Sequence, residues 1–162
     1  MVAVDGPYNS WRHILLPFAH YDDLVLKTIV TVSSCHMHLI RSGQASDAVS
    51  VMPQNKRITF EAFPVGYHQM YQTIFSSLRS TSDMMHLPTT KKYAVLMSIL
   101  VLLIGAMVTG RSDFPVFYRL IGSAVDSMGG EETLGNGGMA HFIKSQVAKY
   151  VATVTHVHHE PS

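Results

Sequence analysis

The chain has 162 residues, of which 47% are hydrophobic and only 14% charged, with a formal net charge of +1. That length suits one domain by the usual range of roughly 100–200 residues, and the scattered cations (Arg41, Lys56, Arg57, Arg79, Lys91, Lys92) form no basic patch, which argues against direct nucleic-acid binding by this chain. The lone cysteine, Cys35, excludes an internal disulfide and a cysteine-based zinc site and fits a reducing compartment.

The N-terminal stretch carries Asp5, Arg12 and His13 where a secretory leader would need an apolar run, so no signal peptide is expected. Asn9 or Ser10 can cap a short helix through "WRHILLPFA", which Pro17 limits or kinks. Asp22 and Asp23 stand where negative charge suits a helix start. The helix that follows, "DLVLKTIVTVSSCHMHLIR", has Leu26, Ile29, Val30, Met37 and Ile40 at three- and four-residue steps, which predicts a core stripe that Val25 and Val32 extend. Residues 42–60, rich in small polar residues and containing Pro53, read as a loop. "FPVGYHQMYQTIFSSLRS" predicts a helix with Pro64 in its first turn. Its apolar face holds Phe63, Tyr67, Met70 or Tyr71, Ile74 and Leu78.

Pro88, with Thr89 and Thr90, opens a long apolar helix that Gly110 closes. Pro115 opens another, with Phe117, Leu120, Ile121, Ala124 and Met128 on one face and Gly129-Gly130 as its stop. "EETLGNGG" reads as a glycine-rich loop. "MAHFIKSQVAKYVATVTHV" predicts a last helix with Phe142, Ile143, Val147, Tyr150 and Val154 inward, and residues 156–162 a frayed tail. With helices throughout and no clear strand pair, the fold class is all-α.

Residues 93–110 carry no charge. At about 1.5 Å per residue they reach roughly 27 Å, close to a hydrocarbon core of about 30 Å. Basic residues flank both ends, however, which removes any positive-inside asymmetry, and only Tyr93 could serve as an interfacial anchor. The other predicted helices are amphipathic and need a shared partner, and a helix apolar all round supplies one. The favoured reading is a buried core helix; the alternative is a small single-pass membrane protein anchored by residues 93–110.

The 10 histidines invite a metal reading. His36 and His38 are two apart on a helix, so they point in opposing directions and cannot chelate together. His156 to Glu160 ("HVHHE") offers imidazole and carboxylate ligands, but no second ligand cluster accompanies it. Cys35 in an apolar helix reads as a small buried hydrophobe. The "GGEETLGNGG" stretch matches neither phosphate-cradling glycine pattern. No catalytic, cofactor-binding or metal-binding residue is therefore assigned, and no enzyme is expected.

The order of these segments resembles the regulatory, or middle-homology, domain of fungal-specific transcription factors, in the branch found behind a six-cysteine binuclear zinc cluster. "NSWRHILLPFAHYDDLVLKTIVTVSSCHMHL" is similar to the family's opening pair of helices, "YHQMYQTIFSSLR" to its next helix and "FIKSQVAKYVATV" to its last matching one. The most specific piece is "SILVLLIGAMVTGRSDFPVFYRLIGSAVDSMGG", an apolar helix ending in Thr109-Gly110, then Phe117, Arg119-Leu120, Gly122-Ser123 and Gly129-Gly130. The usual pairs there are His-Leu and Gly-Ala, so positions 119 and 123 depart from the pattern. The resemblance covers roughly residues 9–155.

It implies antiparallel helical hairpins around a central apolar helix that is a soluble core element. Residues 1–162 would form a single, partial regulatory domain, truncated and without the six-cysteine DNA-binding module. It further implies a nuclear, non-catalytic regulator of RNA polymerase II transcription, serving a secondary-metabolite or nutrient gene set. Partners would be proteins of the transcription machinery or a second copy of itself, with a small-molecule effector as a further ligand, and no membrane.

Overall fold

The computed structural model describes residues 9–41, 65–80, 84–109 and 114–157, and among them every regular element is helical. Asn9 opens the chain's first helical stretch. Its Oδ1 accepts the Trp11 N–H at 3.1 Å, and its carbonyl accepts those of Arg12 and His13. Pro17 has no N–H to give the preceding turn, and its ring crowds the carbonyl four residues back. The chain widens into a π-helical turn at Trp11–Leu15 before helix α1, Leu16–Tyr21. The remaining helices are α2 (Asp23–Arg41), α3 (Val65–Ser80), α4 (Thr89–Val108), α5 (Phe114–Ser127), a 3₁₀ turn at Glu131–Leu134, and α6 (Gly138–Val157).

Helix α4 is the centre. Pro88 enters it in an extended conformation, and its carbonyl accepts the N–H groups of Lys91 and Lys92. Thr109 closes it by placing both its N–H and its hydroxyl on the Gly105 carbonyl. By length and composition α4 could cross a membrane. Here every residue from Ala94 to Leu103 is buried, and α2, α5, α6 and the 3₁₀ turn pack around it. Full burial of each large aliphatic side chain contributes about 1.5–3 kcal/mol, so α4 alone carries much of the core.

Two directions of packing meet on this helix. Lys91, in the first turn of α4, reaches Asp22 at the head of α2, and Gly105, near its end, meets Val32. The two helices therefore run the same way, and this pair is parallel rather than a hairpin. Helix α3 stands between them in chain order. In contrast, Phe117 of α5 packs edge-on against Tyr71, which lines a cavity with Gly105 and Thr109 at the far end of α4. Leu134, just beyond α5, offers its carbonyl to the Tyr93 hydroxyl at the near end. Helices α4 and α5 are thus antiparallel.

Most of the expected faces of α5 and α6 turn inward: Phe117, Ile121, Ala124 and Met128 are buried, as are Phe142, Ile143 and Val147, while Leu120 and Tyr150 are half-buried and the Val154 side chain lies outside the described ones. Ile74 and Leu78 of α3 are buried too, whereas Phe63 and Pro64 fall outside the described residues. Gly129 ends α5 in a left-handed conformation with φ of 93°. The Gly130 N–H then bonds back to the Val125 carbonyl and the Gly129 N–H to that of Asp126, a Schellman closure. The stretch read as a glycine-rich loop contains the 3₁₀ turn, with Leu134 buried as its anchor.

Helix α2 corrects the sequence reading. Of the expected core stripe, Leu26, Val30, Met37 and Ile40 are exposed and Ile29 only half-buried. The side turned inward holds Val25, Thr28, Thr31, Val32 and Cys35, smaller on average and partly polar. The reason is the distance between the helix axes. A Cβ built on Gly105 would lie 2.8 Å from Val32 Cγ1, so the two backbones approach closely and only small groups fit the seam. Thr28 and Thr31 enter it because each hydroxyl bonds the carbonyl four residues back, at 2.7 Å, and brings no unpaired polar atom.

Gly105→Ala tests this contact. Valine is stiff at χ1 and cannot swing aside. Overpacking of about 1–3 kcal/mol should outweigh the gain in helix propensity of up to about 1 kcal/mol. Urea unfolding is expected to show net destabilisation of about 1 kcal/mol, abolished when Val32→Ala is added. A neutral Gly105→Ala in the wild-type background would refute the close approach.

Candidate functional site

Asp22, Thr28, Thr31 and Thr109, polar residues that enter the core, have structural partners. Asp22 is the N-cap of α2: its Oδ1 accepts the Leu24 and Val25 N–H groups at 3.0 and 3.3 Å. Its Oδ2 accepts Lys91 Nζ at 2.7 Å. Burial by itself would raise this carboxyl's pKa. The Lys91 hydrogen bond, the Val25 N–H, the lysine's charge and the Leu24 N–H together outweigh burial and hold it below the ordinary range. Asp23, read with Asp22 as helix-start charge, stays in solvent with Lys27 at 3.8 Å, a pair too exposed to contribute much. Lys91 as the partner of Asp22 was not predictable from sequence, because 69 positions separate them.

The other residues weighed as candidates do not converge. His36 and His38 are both half-buried on α2, and no group of three metal-ligating side chains occurs among the described residues. His158, His159 and Glu160 of the "HVHHE" stretch lie outside them. Cys35 is half-buried and lines the cavity between α2, α3 and α4, together with Thr31, Tyr71 and Thr109. That cavity measures ≈ 20 Å³, about the room one water needs and far from the roughly 300 Å³ of a small-molecule site. Tyr93, read as a candidate interfacial anchor, instead ties α4 to the 3₁₀ turn through its bond to Leu134.

Leu16, Tyr21, Leu26, Val30, Met37, Ile40 and Met85 are large and exposed.

Among the described residues Asp22, Thr28, Thr31 and Thr109 serve as caps and ties of a helical core. The family model described as the fungal specific transcription factor domain matches residues 1–159, nearly the whole chain, and the protein belongs to that family. No curated protein and no solved structure matches it.

Two measurements probe the buried polar groups. Asp22→Asn keeps the cap but loses the charge, and should cost about 0.5–1 kcal/mol at neutral pH, a value kept small by the half-open lysine. Because the folded carboxyl titrates below its ordinary value of 3.8, its contribution is complete above that value and fades as pH falls through the lower folded one. The stability gap between wild type and Asp22→Asn should therefore hold down to about pH 5 and close in stronger acid; a gap that widens in acid would contradict the pairing. Second, Ser98 is fully buried in α4 with no partner for its hydroxyl. Removing an unsatisfied buried hydroxyl recovers about 1 kcal/mol or more, so Ser98→Ala should raise the urea midpoint, and a lower midpoint would mean that the hydroxyl is bonded in solution.

Proposed function

We propose that this chain is a non-catalytic regulatory and interaction domain that works in the nucleus in control of RNA polymerase II transcription. The observation that carries the reading is the family match across residues 1–159, on an all-helical set of described elements. The gene set would serve secondary metabolism or nutrient use. With one cysteine in its sequence, these residues supply no six-cysteine cluster, and their partners would be proteins of the transcription machinery. A small-molecule effector is the less favoured ligand, because the cavity between α2, α3 and α4 is an order of magnitude too small for one as it stands.

A second reading has a specific feature in its favour: α4 is long and apolar enough to span a bilayer. Its burial among amphipathic neighbours supports the core reading instead.

Fused to a heterologous DNA-binding domain, the chain should change transcription of a reporter several-fold, and a fluorescent fusion should accumulate in the nucleus. An unchanged reporter with good expression would defeat the regulatory reading. Retention in the membrane pellet after carbonate extraction would establish the bilayer-spanning alternative.

A further inference from the structure

Residues 135–138, the Gly-Asn-Gly-Gly segment before α6, match no phosphate cradle and are exposed throughout. Their chemistry lies in one dipeptide. Of the chain's asparagines, Asn9, Asn55 and Asn136, only Asn136 precedes a glycine. An asparagine amide can close a five-membered ring with the next main-chain nitrogen, one reason the residue is thermolabile. Glycine leaves that nitrogen unshielded because it has no Cβ. Regular secondary structure suppresses the reaction by engaging the nitrogen's proton and fixing the backbone.

The fold applies neither restraint here. Asn136 and Gly137 stand just before α6, which starts at Gly138. Among the described residues, neither the Asn136 side chain nor the Gly137 N–H has a hydrogen-bond partner. A Cβ built on Gly137 would meet nothing within 4 Å, so the surroundings of its nitrogen are open. The carbonyls on either side are held: that of Gly135 accepts Lys144 Nζ at 3.0 Å, and that of Gly137 accepts the His141 N–H at 2.9 Å. The species that attacks is the deprotonated nitrogen. It lies at the positive end of α6, two residues from the carbonyl that the Lys144 ammonium holds, and both favour negative charge there.

We propose that Asn136-Gly137 is a site of self-modification, at which the chain deamidates through a succinimide and turns the head of α6 from neutral to anionic. Solvent base takes the Gly137 amide proton. The nitrogen attacks Asn136 Cγ, the new C–N bond closes the ring, and the Cγ–Nδ2 bond breaks, releasing ammonia with a proton drawn from water. Water then opens the ring at either carbonyl. Opening at Cγ leaves aspartate. Opening at the main-chain carbon leaves isoaspartate, whose backbone runs through the former side-chain methylene.

Either product adds one negative charge and cancels the formal net charge of +1. Aspartate before the first turn of α6 suits the helix dipole. Isoaspartate instead lengthens the connection between the buried anchor Leu134 and α6. The proposal stands independently of the gene-control reading.

The test is to hold the full chain, folded and in guanidinium chloride, in mildly alkaline buffer at physiological temperature for days. Peptide mass mapping follows each asparagine, and an isoaspartyl methyltransferase labels the rearranged product. The folded chain should lose the Asn136 amide at least tenfold faster than that of Asn9, whose Oδ1 is bonded to the Trp11 N–H. Isoaspartate should be among the products, and the isoelectric point should fall. Gly137→Ala should slow the loss at least tenfold with an unchanged circular dichroism spectrum, since a Cβ fits there. Asn136→Gln, which would need a six-membered ring, should stop it equally and serves if the alanine variant does not fold.

An Asn136 amide that survives in the folded chain but disappears in denaturant would overturn the proposal, because the fold would then guard the link. So would an undiminished rate in Gly137→Ala, or aspartate as the sole product, since neither is compatible with attack by the glycine nitrogen.

Discussion

The structure depends on covering a helix that has no polar side. From Ala94 to Leu103 every residue of α4 is buried, so the chain must bring protein to the helix from all directions. Four elements do so, and the geometry of each follows from what α4 offers at that point. At its start, Lys91 holds the head of α2 through Asp22, and Tyr93 holds the turn after α5 through the Leu134 carbonyl. Near its end, Gly105 lets α2 come in close. Polar contacts occur where the helix emerges from the core; apolar contacts and missing side-chain volume do the work inside it.

That division explains the composition of α2. A helix packed tightly on another must present small groups at the crossing, and hydroxyls are acceptable there only when bonded to their own backbone, as Thr28 and Thr31 are. The larger residues of α2 are then left on the outside. Packing volume, rather than hydrophobicity alone, decides which side of the helix faces in.

Much of this was legible in the sequence, and the exceptions share a cause. Pro88, Pro115 and the Gly129-Gly130 pair marked helix ends through backbone chemistry that acts locally, and Asp22 announced a helix start for the same reason. The inward faces of α5 and α6 were readable because each has one apolar side. Helix α2 has two, and periodicity assigns the core to the greasier row when the close crossing at Gly105 requires the smaller one. The Asp22–Lys91 pair and the Tyr93–Leu134 bond link residues distant in the chain and leave no local signal. The parallel course of α2 and α4 was likewise hidden, since a hairpin is the default for neighbouring helices and these two are separated by α3.

The same physics bears on function. A catalytic site needs polar groups held away from water and short of partners, so that a substrate can complete them. Here the buried carboxylate is already bonded to two backbone N–H groups and a lysine, and the threonine hydroxyls of the α2–α4 seam are turned onto their own helices. Their hydrogen-bonding capacity is used up in holding helices together. Apart from the buried Ser98 hydroxyl, what the described residues leave uncovered is apolar area on the outside, on a helix with no Asp, Glu, Lys or Arg from residue 28 to residue 40. Recognition by such a surface is governed by shape and by water released from it, with little electrostatic steering to speed the encounter.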